Sequence, residues 1–431
     1  MALALRPRLS PHALNWQRPS ILAVLTVALV CVPQQRAQLD SSFNVTAADV
    51  AAGCLVVAAL VHALRGRLRL PRRAYLLAPP AVAVTAATLA SVDVVAALPG
   101  FVRYLEIFVI VPLAMAIVVR DEVDRRLVAA AVLGVALVQA LLGCWQAYSG
   151  SGASYGGQSI RAIGTFGAVD IMGMATVVSY GAIVALALVL TTRGRPRVAA
   201  TLVLLVLLAA LVLSLSRGAW LAWLMAGVVM ILLSGSRKAV GGALAGALVL
   251  GLVVLGGWGS GTVTQRLASM TSVASQPDQS VNDRYGLWET AAGMWHDHPL
   301  LGVGPRGFAA WRDNYAPLHV SASSDTADPV NGFQRQELRS PHNMYLLVLS
   351  EQGLLGLSAF ALLWAGLAVL AAKRARRGGT SAQRAAGLCA AGFLTWQLVD
   401  FVYADVGGSP TVVMSIMIGL LLSWVVAADA A

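Results

Sequence analysis

Residues 193–238 read RGRPRVAATLVLLVLLAALVLSLSRGAWLAWLMAGVVMILLSGSRK. Two apolar runs, 198–215 and 218–234, are separated by a short polar joint that contains Arg217. Basic clusters bound the pair at both outer ends. Each run is close to the ~20 residues needed to cross a hydrocarbon core as a helix. A backbone without water must satisfy its own polar groups, which selects helices. The stretch is therefore a transmembrane hairpin, with both basic flanks on one side and Arg217 on the other.

The same grammar extends over the whole chain. Of 431 residues, 58% are hydrophobic and only 12% charged, with a mean hydropathy of +0.73. A soluble domain carries about a quarter charged residues, so soluble enzymes, disordered chains and secreted disulfide scaffolds are excluded. The fold class is an all-α polytopic membrane protein of about 12 transmembrane helices. The spans are approximately 20–34, 47–64, 74–90, 100–119, 127–147, 168–190, 198–215, 218–234, 240–257, 343–371, 385–403 and 410–428. Domain organisation follows: 1–257 carries spans one to nine, 258–342 a large loop, and 343–431 the last three spans.

The net charge of +11 suggests nucleic acid until its placement is considered. The N-terminus and the connections 65–73, 120–126, 192–197, 236–238 and 373–384 together hold 21 of the 31 basic residues. The positive-inside rule makes these cytoplasmic, with both termini inside, so the charge reads as topology and no nucleic-acid partner is expected. The basic N-terminus followed by an apolar run without a small-residue cleavage site reads as a retained first span. Cys31, Cys54, Cys144 and Cys389 show no CxxC or metal spacing and read as small buried apolar residues.

Arginines that topology does not explain mark the outer side. Six of them lie within 258–342, a segment too polar and too rich in Gly and Pro to cross a membrane. Long loops of this kind tend to be functional. Within it, NDRYGLWETAAGMWHDHPLLGVGPRGF (282–308) predicts an amphipathic helix capped by Asn282 or Asp283. Arg284 then falls in the first turn, where backbone N–H groups suit an anion. Leu287, Trp288, Ala291, Met294 and Trp295 form its apolar stripe, set against the bundle or the membrane surface. Arg217 is either an interface arginine that snorkels or an anion ligand. Arg161, in RAIGTFGAVD (161–170), is a third outer cation.

His342, in SPHNMYLLVLSEQGLLG (340–356), stands where span ten begins. It suits a general base, near neutrality in pKa, or a hydrogen-bonding residue at a helix N-terminus. Glu351, two and a half turns on, reads as a paired or structural carboxylate. His296 and His298 form an HxH pair without a third ligand, so no metal site is expected. Arg103 and Glu106 read as an intramembrane pair on one helix face; their further roles, and that of Asp170, stay open.

SLSRGAWLAWL (214–224), the 282–308 stretch and SPHNMYLLVLSEQGLLG, in this order, resemble the signature regions of the O-antigen ligase and O-antigen polymerase superfamily. RAIGTFGAVD is similar to a further family segment, in which Asn usually stands where this chain has Asp170. The resemblance implies a C-type-glycosyltransferase-like fold with one large periplasmic loop containing amphipathic helices. It implies a bacterial inner-membrane glycosyltransferase moving a glycan from undecaprenyl pyrophosphate to an acceptor hydroxyl on a glycan or glycolipid. That reaction is inverting and uses neither metal nor other cofactor. Carried over residue by residue, Arg217 and Arg284 bind the pyrophosphate, with Arg161 as a further candidate, and His342 activates the acceptor. A glycan-repeat polymerase of the same superfamily is the alternative within the class. A transporter or flippase for an anionic lipid or solute is the alternative outside it.

Overall fold

The computed structural model describes residues 18–33, 45–67, 72–155, 161–167, 170, 172–235, 279–328, 332–376 and 379–426. The expected ninth span, 240–257, lies outside them, as do the opening of the long loop and the residues before 18. The first helices are α1 (Ser20–Leu29), α2 (Ala47–His62), α3 (Ala78–Leu89), α4 (Val94–Leu105), α5 (Val111–Val118) and α6 (Glu122–Ser149). They are followed by α7 (Gly173–Thr191), α8 (Arg195–Leu213) and α9 (Arg217–Leu233). Beyond the undescribed stretch come α10 (Gln279–Asp297), α11 (Gly307–Tyr315), α12 (Met344–Arg376), α13 (Ser381–Asp400) and α14 (Pro410–Val426).

Among the described residues, six helices are long and apolar enough to cross a membrane: Ala47–Arg65, Val94–Val118, Glu122–Ser149, Gly173–Thr191, Arg195–Leu213 and Met344–Arg376. The other expected spans before and after 240–257 fall on helices that are shorter or less apolar. The two central helices, α7 and α14, are buried on almost every side. An aromatic cluster ties the neighbours together: the Trp364 and Phe401 rings meet edge-on at 5.2 Å, and Tyr180 meets Trp396 at 5.1 Å. The Tyr180 hydroxyl donates to Gln397 Oε1 inside this cluster. The Cys54 side of α2 is exposed, and Cys31, Cys144 and Cys389 are half-buried. The expectation of four buried cysteines fails because α2 turns Cys54 away from the bundle.

The expected span 100–119 is a helix broken by design of its sequence. Residues Glu106–Ile110 form a π-turn between α4 and α5. Pro112 has no N–H for the carbonyl one turn back, and the Val111 N–H reaches back to Glu106 O. The Ile107 carbonyl is then taken by Ser415 Oγ of α14 at 2.7 Å. A bulge inside an apolar span is tolerated because a neighbouring helix supplies the missing partner.

The long loop is not purely helical. A three-stranded antiparallel sheet, β1 (Ser154–Tyr155), β2 (Ser323–Asp328) and β3 (Gly332–Glu337), joins the α6–α7 connection to a hairpin of the loop. The polar sequence around Gly332, whose φ is 65°, suits this hairpin and carries no helical periodicity. The stripe of α10 is formed in part: Leu287, Ala291 and Met294 are buried with Val303, Phe308 and Leu338, and Leu346 and Leu347 of α12 pack on them, whereas Trp288 and Trp295 are half-buried outside this core. It faces the loop's own small core and the bundle.

Candidate active site

The connection DFVYADVGGSP (400–410) is the hub on which the functional segments converge. The α12 helix starts against it: the Met344 N–H donates to Phe401 O at 2.8 Å and to Ala404 O at 3.1 Å. The α9 helix starts against it as well, because a Cβ on Gly218 would meet the Tyr403 ring at 3.1 Å. Ser340 Oγ donates to Asp405 Oδ2. Arg103 reaches it from α4, donating to Gly408 O at 3.0 Å. Arg217, at the first position of α9, and His342, two residues before α12, are thus brought to one turn of chain.

Arg217 follows Ser216, whose side chain accepts from the Ala219 N–H. The arginine is held at a helix N-terminus and the joint has little freedom. Arg161 lies next door in main-chain distance. Its N–H donates to Ala153 O at 2.7 Å, and the following Ala162 N–H donates to Leu213 O at the end of α8 at 3.1 Å.

Arg284 is displaced from its expected setting. The α10 helix starts at Gln279, so Arg284 sits in the second turn and the helix N-terminus is not its anion site. Asp283 is no cap either; its carboxylate accepts from the Ser321 N–H at 2.9 Å and anchors the hairpin. The start moves because Gln279, Ser280 and Val281 continue the helical run. Trp288 lies one turn on from Arg284, on the same face of α10. The Trp288 Nε1–H donates to Pro341 O at 3.0 Å, which turns this face of α10 toward His342.

The imidazole of His342 lies within electrostatic reach of both Arg284 and Asp405. Its pKa is held below the ordinary 6.5: burial lowers it, Asp405 pulls it upward, and Arg284 lowers it further. The neutral, proton-accepting form is favoured. The capping role open to His342 belongs instead to Asn343, whose side chain accepts from the Leu346 N–H at 3.1 Å. His342 itself is in the left-handed region, and its N–H donates to Ser340 Oγ at 3.0 Å.

Strain collects here. Among the described residues three non-glycines have positive φ: Leu215 (52°), Arg306 (62°) and His342 (49°). Each flanks or is a candidate site residue. Such conformations cost about 1–3 kcal/mol each and persist where surrounding structure over-determines them.

Behind His342, α12 is broken at Gly353 (φ 63°, ψ −162°). The turn 299–304 fills the break. The Val303 and Gly304 N–H groups donate to Ser350 O and Glu351 O, each at 2.9 Å, and the Leu354 N–H donates to Pro299 O at 2.9 Å. A Cβ on Gly353 would lie 2.2 Å from Leu300 C, and one on Gly302 would lie 2.4 Å from Glu351 C. Only glycine permits this approach. Glu351, buried, accepts from the Phe308 N–H at 3.2 Å and from the backbone of Arg306. Its reading as a structural carboxylate holds.

Sequence reasoning passed over three participants. Arg306 packs its side chain on Gly100 of α4 and lies within electrostatic reach of Glu351. Asp400 and Asp405 complete the surroundings of Arg284 and His342. Two carboxylates at the mouth of a span, opposite a surplus of outer arginines, were the available signal. Arg103 pairs with Glu106 as expected, at 3.0 Å, and also with Asp49 at 2.6 Å. Asp170 sits against Gly173 and Gly408, with Oδ2 buried. His296 pairs with the adjacent Asp297, and His298 meets the Trp311 ring edge-on.

No curated protein matches the chain. The family model described as O-antigen ligase matches residues 202–361, a stretch that includes Arg217, Arg284, Arg306 and His342 and stops short of the 400–410 hub. That segment is thus similar to the O-antigen ligase family.

Proposed function

We propose that the protein is a bacterial inner-membrane glycosyltransferase of the ligase kind. It moves a glycan from undecaprenyl pyrophosphate to an acceptor hydroxyl at the outer face. The observation that carries this reading is the setting of His342, neutral and strained, between Arg284 and Asp405 at the start of α12. The acceptor oxygen attacks the anomeric carbon as its proton passes to His342. The bond from that carbon to the pyrophosphate oxygen breaks, and the electron pair leaves with the diphosphate. Attack from the face opposite the leaving group inverts the anomeric centre.

Negative charge develops on phosphate oxygens, and Arg217 and Arg284 are the groups that meet it, with Arg161 beside them. Guanidiniums suit this work through bidentate geometry and permanent charge, and partial burial strengthens the contact. Asp405 raises the basicity of His342. The anchored 299–308 turn fixes the distance between the loop that carries Arg284 and the helix that follows His342. The sugars face the outer compartment and the lipid tail lies among the spans.

The test is incubation of the reconstituted protein with a defined undecaprenyl-pyrophosphate oligosaccharide and a hydroxyl acceptor, followed by mass analysis. A glycosylated acceptor with release of undecaprenyl pyrophosphate is expected. Donor elongation by further repeat units would make it a polymerase. Donor passage into vesicles with no new glycosidic bond would overturn the enzyme reading.

A further inference from the structure

The helices that carry the 400–410 hub carry a second feature at their other ends. A cavity of about 440 Å³ opens between α6, α7, α13 and α14, with Arg125 and Arg126 at its mouth and Trp424 in its wall. The size lies within the ~300–1,000 Å³ of pockets that hold small ligands. The α13 helix runs from Ser381 at this mouth to Asp400 at the candidate site. Its 20 residues at ~1.5 Å each separate the two by about the thickness of a hydrocarbon core. The cavity therefore belongs to the opposite leaflet.

Its walls are apolar: Phe393, Met417 and Leu421 line the interior. Its mouth is cationic. Arg125 Nε and Arg126 Nε share one carboxylate, Glu122, at 3.3 and 3.0 Å. The neighbouring Asp121 and Asp124 are held by Arg18, each at 2.9 Å. Arg125 Nη1 and Trp424 Nε1 are buried with no hydrogen-bond partner. Two buried donors without partners on one cavity are costly unless something accepts from them. The hydroxyl hydrogens at the rim are engaged already: Thr191 Oγ1 donates to Ala187 O, Thr192 Oγ1 to Leu188 O, and Ser381 Oγ to Thr191 O. The donors that remain are cationic or indole N–H groups, and the complement is an anionic acceptor joined to an apolar chain.

We propose that this cavity binds an anionic phospholipid, with one acyl chain between the helices and the phosphodiester on Arg125 and Arg126. Basic pockets between spans at a headgroup level recognise such lipids. The full chain is reconstituted in vesicles of equal phosphatidylglycerol and phosphatidylcholine, released gently, and weighed with its retained lipid by native mass spectrometry. One phosphatidylglycerol per chain is expected in preference to phosphatidylcholine. Arg125→Gln lowers that occupancy about tenfold, the effect of losing one charge-assisted hydrogen bond. Ala386→Phe, which fills the cavity and keeps both arginines, abolishes it. No retained phospholipid, equal retention of the two lipids, or unchanged retention in Ala386→Phe overturns the proposal. The readout is bound lipid and is independent of any transfer activity.

Discussion

At one end of the bundle, α6 and α13 start on complete capping boxes, Asp121 with Asp124 and Thr380 with Gln383. Arg73 closes α14 there by donating to Val425 O at 2.6 Å. At the other end positive φ gathers on non-glycines, beside a glycine break in α12 and a turn inserted into it. The arginines differ in the same way. Arg125 and Arg126 pair with Glu122 of their own helix and Arg18 with Asp121 and Asp124 at the start of α6, whereas Arg217 and Arg284 come from separate segments toward the 400–410 hub. The end held by these caps and local pairs reports topology and stability. The end where Leu215, Arg306 and His342 hold positive φ is the one to which the proposed chemistry is assigned.

The contrast is sharpest in single substitutions. Arg217→Ala, Arg284→Ala and His342→Ala should each reduce transfer about 10²–10³-fold, the scale of removing one stabilising group from a transition state. Amounts of membrane protein should be unchanged. Transfer by mass analysis and quantitative immunoblots check this pair of outcomes, and full activity in all three would dissolve the distinction between the two ends.

Gly353→Ala should damage stability and transfer together. Positive φ alone costs about 1–3 kcal/mol in a residue with a Cβ, and that atom would also enter the Leu300 backbone. Thermal unfolding in detergent should fall measurably, with Gly302→Ala behaving alike. A melting point equal to the parent's would mean that the inserted turn is not a fixed joint.

The pH profile comes next in size. His342 must be neutral to accept a proton, and its pKa lies below 6.5. Transfer is therefore full above that value and falls only as pH drops through the lowered pKa. Asp405 raises the pKa, so Asp405→Asn should shift the acidic limb to still lower pH. A shift to higher pH would contradict the geometry around His342.

The smallest effect is expected at the capped end. Thr380→Ala removes a cap worth about 1 kcal/mol, so unfolding should occur slightly earlier while transfer stays at the parent's level. A large loss of transfer would show that the two ends are coupled.

Much of this architecture was legible in the chain because lipid leaves so few choices. Apolar runs had to be helices, and Arg217 and His342 had to stand at helix starts. The start of α10 was not legible to within a turn, because Gln279, Ser280 and Val281 read as loop in a polar stretch. That error carried the expected anion site with it. The strands were missed since 323–337 holds no alternation of strong apolar residues, and their pairing with 154–155 is a long-range event. Asp405 went unnoticed for a different reason: a search for excess cations does not find the carboxylate that tunes a histidine.

The 299–304 turn, seated by main-chain hydrogen bonds in the break at Gly353, divides the chain from Arg284 to His342 into two arms. The arm beyond the turn carries the 323–337 hairpin, which is tied back beside Arg284 by the Asp283–Ser321 hydrogen bond. A change of length there would be transmitted to Arg284 through Asp283 and to His342 through the five residues that follow β3.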